Sequence, residues 1–83
     1  MTIQQLESMI EQVSHEEVEA EQHLARIRAD RRACERKWSH GGPHYHRLAR
    51  LRTTWRSKLQ DAETKLALLR DDLIKKVEME MAG

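Results

Sequence analysis

The chain has 83 residues, of which 35% are Asp, Glu, Lys or Arg, with no Phe, two Trp and one Tyr. That length supports one small domain, and an apolar content drawn from Leu, Ile, Val, Met and Ala argues against a sheet protein and for long amphipathic helices. One cysteine, Cys34, excludes an internal disulfide and suits a reducing compartment. No apolar run approaches the ~20 residues that a membrane-crossing helix needs. The start, Met1 to Glu7, is acidic and lacks the basic and apolar regions of a secretory leader, so a cytoplasmic protein is expected.

In chain order, the first element is a helix over about 2–39. Thr2 and Gln5 have the spacing of a capping box, in which each side chain accepts from the other's backbone N–H. An apolar stripe then advances in alternating steps of three and four: Ile3, Leu6, Ile10, Val13, Glu17, Ala20, Leu24, Ile27, Arg31, Cys34 and Trp38. That is the heptad rhythm of a helix packing along one seam. Only Glu17 and Arg31 interrupt it. Ser14 and Glu17 have the spacing of a second capping box, where a kink is conceivable, but a continuous helix is expected.

The strongest punctuation is Gly41-Gly42-Pro43. Glycine suits the residue after a helix, and proline suits a first helical turn, so the turn is placed at 40–43. A second helix follows over about 43–80, with the stripe Tyr45, Leu48, Arg52, Trp55, Leu59, Ala62, Leu66, Leu69, Leu73 and Lys76. A short connection makes the two helices antiparallel neighbours. The predicted architecture is all-α: one domain over 1–83, two long helices in an antiparallel coiled-coil hairpin, oligomeric in use. Ile27 and Leu24 are expected near Trp55, Leu59 and Ala62, Ala20 near Ala62 and Leu66, and Ile10 and Val13 near Leu69 and Leu73. Trp38, Tyr45 and Leu48 should close the loop end. The Arg31 guanidinium is expected on the Trp55 face.

The end of the second helix carries more apolar side chains than one seam uses. Leu66, Leu69, Leu73, Ile74, Val77 and Met81, with Met9 on the first helix, therefore form the expected partner-binding face. Its occupant would be a helical protein or a second copy of the chain.

Charge is polarised along the sequence. Residues 1–25 carry −6, residues 26–58 carry +9 and residues 59–83 carry −2. Doubling back about the turn gathers the positive charge into a basic tip, with Arg28, Arg32, Arg36, Lys37, Arg47, Arg50 and Arg56 as its candidate contact residues. Phosphates are one ligand class for such a tip, with Trp38 or Tyr45 stacking on a base. No nucleic-acid motif accompanies it, and an acidic protein is at least as good a partner for the tip; nucleic-acid binding stands as the alternative to a protein-binding function.

Other chemistry finds little support. His40, His44 and His46 cluster at the turn with Cys34 nearby, but the spacing is loose and a second Cys is lacking, so no metal site is assigned. The paired acids Glu16-Glu17 and Asp71-Asp72 read as solvated helix surface. There is no Gly-rich phosphate loop and no HExxH, so neither a catalytic centre nor a cofactor is expected.

From Cys34 to Leu69 the chain reads as a charged helix, Gly41-Gly42-Pro43, the aromatic Tyr45, then Leu48, Trp55, Leu59, Ala62 and Leu66. This stretch resembles the YscE/PscE-like helical-hairpin co-chaperones of type III secretion. The resemblance implies a bacterial cytoplasmic protein that pairs with a larger, tetratricopeptide-like chaperone, the two together keeping a needle subunit from polymerising early. It carries over to the turn (Gly41, Gly42, Pro43) and to Tyr45, Leu48, Trp55 and Leu59.

Overall fold

The structure, a computed structural model, describes residues 1–38 and 42–82, with Trp38 described by its backbone alone. It contains two helices, α1 over Ile3–Trp38 and α2 over Pro43–Ala82, packed against each other along their length as an all-α hairpin. The rod measures 64 × 14 × 13 Å.

The start of α1 is fixed as the residue types dictate. The Thr2 N–H donates to Gln5 Oε1 at 2.8 Å, and the Gln5 N–H donates to Thr2 Oγ1 at 3.1 Å. Backbone groups that a helix start leaves without intrahelical partners are thereby satisfied. Past Ser14 the helix runs on unbroken to Trp38. At the turn, Gly42 has φ +101°, a conformation that side chains with a Cβ rarely adopt. Its carbonyl accepts from the His46 N–H at 3.2 Å, and Pro43 opens α2. Gly41 and His40, also assigned to the turn, lie outside the described residues. Helix α2 continues to Ala82, two residues past its expected end at 80.

On α1 the buried side chains are Leu6, Val13, Ala20, Ile27 and Cys34, one residue in every seven. The other half of the stripe, Ile3, Ile10, Glu17, Leu24 and Arg31, is half-buried. The seam therefore has one deep row and one flanking row, and both interruptions fall in the flanking row. There a long side chain can lay its aliphatic stem along the seam, and the Arg31 Nε is itself buried. On α2 the deep positions are Leu48, Ala62 and Leu66.

Two clusters anchor the seam. Near the loop, Ile27, Cys34 and Leu48 pack together with Tyr45 and Trp55 against them. Toward the open end, Val13 packs with Ala62 and Leu66, flanked by Ile10 and Leu69. Val13 and Ile10 thus share a cluster with Leu69, as expected, and Leu66 and Ala62, expected opposite Ala20, pack there too.

Arg31 also differs from expectation. Its guanidinium lies over Tyr45, 5.1 Å from the ring centroid, and donates to the Tyr45 hydroxyl at 2.8 Å. The Trp55 indole is taken instead by His23 of α1, stacked at 3.8 Å between ring centroids, and by Lys58, whose Nζ is 4.3 Å from the ring centre.

Candidate functional site

The two helices leave a groove on each flank of the seam. The larger, about 720 Å³, lies toward the loop end. Its floor is Leu24, Ile27 and Leu59, and its walls carry Arg28, Arg31 and Arg32 from α1 with Arg52 and Arg56 from α2. Two acids, Glu35 and Glu63, share the lining, so three positive charges are in excess. Like charges held this close repel one another, and a bound anionic group relieves that cost.

The seven-residue rhythm explains the convergence. Arg28 and Glu35 occupy one row of α1, beside the flanking row that contains Leu24 and Arg31. Arg56 and Glu63 occupy the matching row of α2. A supercoiled pair keeps such rows on one side along its whole length. Of the residues expected in the basic tip, Arg28, Arg32 and Arg56 therefore meet in one groove. Arg36, Lys37, Arg47 and Arg50 do not line it. Arg31 and Arg52 do, although the heptad pattern places both in the seam. Their charge at a seam position was the available signal: a heptad position filled by arginine directs its head to the seam's edge.

The smaller groove, about 290 Å³, lies on the opposite flank. Glu16, Glu19 and Asp61 line it with Lys58, Lys65, Ala62 and the edge of Trp55. Its charges are mixed and close to balance, so it presents no comparable pull on a charged ligand.

The expected apolar face is not one surface. Leu66 is 2% exposed and is spent inside the hairpin, where it cannot meet a partner. Leu69, Leu73 and Val77 are half-buried along the seam. Ile74, at 57% exposure, and Met81, at 82%, point outward and lie seven residues apart in one row. Ile74 is also eighteen residues, five helical turns, from Arg56, which places it on the arginine side. Met9, exposed as expected, is seven residues from Glu16 and so belongs to the opposite flank. Two further exposed apolar residues lie outside the expected face: Leu68 and Met79, 63% and 74% exposed, are eleven residues apart on one side of α2, with Asp72 and Lys75 between them in the same row.

Among the described residues, no group of three or more His, Cys, Asp or Glu side chains is placed to hold a metal ion. His40 of the turn trio lies outside them. Cys34 is buried in the seam as a free thiol. None of the described helices is long and apolar enough to cross a membrane. The chain matches no protein-family model, and comparison with curated proteins and with solved structures gives no significant match.

Proposed function

We propose that the chain is a small cytoplasmic protein-binding adaptor of the co-chaperone kind, which covers an apolar helical face of a partner by helix packing. The observation that carries this reading is the exposure of Leu68 and Met79, two large apolar side chains on one side of α2 that the α1 seam leaves uncovered. The hairpin cannot fold back to cover them. Methionine adapts its shape to a partner's surface, which suits a side that packs against another helix. In the specific form suggested by the resemblance around Gly41-Gly42-Pro43, the partner is a tetratricopeptide-like chaperone of a type III secretion needle subunit.

The test is co-purification from the native host with identification of the bound protein by mass spectrometry. The adaptor reading expects a helical partner that is lost on Leu68→Asp with Met79→Asp, while circular dichroism of the variant stays helical. A partner set unchanged by that double substitution overturns it. Neighbouring genes without secretion components remove the type III form while leaving the general one standing.

Nucleic-acid binding draws on the arginine groove but finds less support. Such a site needs exposed rings on which bases can stack. Tyr45 is engaged by Arg31 and Trp55 by His23 and Lys58, and the groove itself contains two glutamates.

A further inference from the structure

The face that holds the arginine groove changes sign along its length. Following the Arg28 row of α1 toward the open end gives Glu21, Ser14 and Glu7. The Arg32 row gives Ala25, Val18 and Glu11, and Val18 is an exposed apolar residue. On α2 the row of Arg56 and Glu63 continues to the exposed Arg70, and the same flank ends in the exposed Ile74 and Met81. One face of one rod is therefore arginine-rich toward the loop and, with Glu7, Glu11, Glu17 and Glu21 outnumbering Arg70, acidic with scattered apolar side chains toward the chain ends.

We infer that this face pairs with itself: a second copy of the chain lies antiparallel on it, its acidic end in the arginine groove of the first. A face with a positive half and a negative half is complementary to itself only when one copy is turned end for end. That is the two-fold, isologous arrangement in which each contact occurs twice. Full overlap of two 64 Å rods brings Glu7, Glu11 and Glu17 of one copy to the height of Arg28, Arg31 and Arg32 of the other. The product is a four-helix bundle. A parallel pair would set arginine on arginine and is disfavoured by the same charges.

The area is sufficient. A face 64 Å long and 14 Å wide offers on the order of 900 Å², and a stable pair of proteins buries roughly 800 Å² on each side. Leu68 and Met79 stay outside this contact, so the pairing stands independently of the adaptor reading.

Charge reversal tests it. Sedimentation equilibrium of the intact chain should give twice the 9.8 kDa monomer mass at low salt. Arg28→Glu with Arg32→Glu should weaken association by about tenfold or more, and so should Glu7→Arg with Glu11→Arg. All four positions are exposed in the single hairpin, and circular dichroism should confirm that both variants remain helical. Mixing the two variants should restore the dimer, because each reversed groove then meets a reversed acidic end. Orientation is read by spin labels on Met81→Cys in a Cys34→Ser background. Antiparallel copies hold the two labels apart by a distance approaching the rod length of 64 Å. The inference is overturned by a chain that stays monomeric, by a dimer indifferent to both reversals, by variants that fail to complement, or by labels that lie close together. A monomer whose arginine variant alone loses binding to a nucleic-acid duplex would assign the groove to that ligand instead.

Discussion

The imidazole of His23 lies flat on the indole of Trp55, with ring centroids 3.8 Å apart and planes 7° apart. Glu19, one turn earlier on α1, approaches the His23 Nε2 at 3.8 Å, and Lys58 of α2 sits over the Trp55 ring. A ring from each helix thus clasps the hairpin near mid-length. Removing it with His23→Ala should cost about 0.5–1.5 kcal/mol of stability, the range for a stacked aromatic pair. Urea unfolding followed by circular dichroism measures the loss, and His15→Ala, an exposed histidine on the same helix, is the control expected to change nothing. Tryptophan emission should shift in the first variant only.

Leu66 and Ile74 are eight residues apart on one helix and have opposite fates. Leu66 is packed with Val13 and Ala62, whereas Ile74 faces solvent. Leu66→Ala should therefore destabilise the hairpin by about 2–5 kcal/mol, through lost burial and the cavity left behind. At concentrations where the chain is a single hairpin, Ile74→Ala should fall within about 0.5 kcal/mol of the wild type. Thermal melts of the two variants distinguish them. If Ile74→Ala proved the costlier, the orientation of α2 would be wrong.

Ala20 on α1 and Ala62 on α2 are both buried, the smallest side chains in the deep rows. Ala20→Leu adds three heavy atoms at a place with no room for them. The expected cost is about 1–3 kcal/mol. The same change at Ala29 or Ala33, both exposed, should be near neutral because leucine is almost as good a helix former as alanine. Denaturation midpoints of the three variants form the comparison.

Much of this fold was legible because its signals are local. The Thr2–Gln5 cap, the Gly-Gly-Pro punctuation and the heptad steps each depend on neighbours within a turn or two. Packing partners within a cluster were less legible: a heptad pattern does not say that Leu66, expected opposite Ala20, also packs with Val13. Nor does it say which ring a long side chain reaches, and Tyr45 and Trp55 both flank the loop-end cluster. The candidate site was half legible. Net charge by segment located the basic end, but only the rows around each helix show which arginines share a flank. The outward position of Leu68 was less legible because Leu66 to Leu69 looks like one apolar block, although its members spread around the helix at 100° per residue.

Near the end of α2, the Lys75 ammonium lies 2.9 Å from an Asp71 carboxylate oxygen, one turn apart, with both side chains largely in solvent. The hydrogen bond to Asp71 raises the lysine pKa above its ordinary value, followed by the charges of Asp71 and Asp72. A raised pKa in the folded helix means the charged lysine is bound more favourably there than in the unfolded chain. Its contribution is complete below the unfolded-chain pKa and disappears as pH rises through the higher folded value. Because the pair is exposed, salt screens it, and its effect should be confined to the last turns of α2. The measurement is a side-chain NMR titration of Lys75. Asp71→Asn should move its midpoint down toward the ordinary lysine value, and added salt should do the same in the wild type. A wild-type midpoint already at the ordinary value, or one unmoved by Asp71→Asn, would show that the pair does not persist in solution.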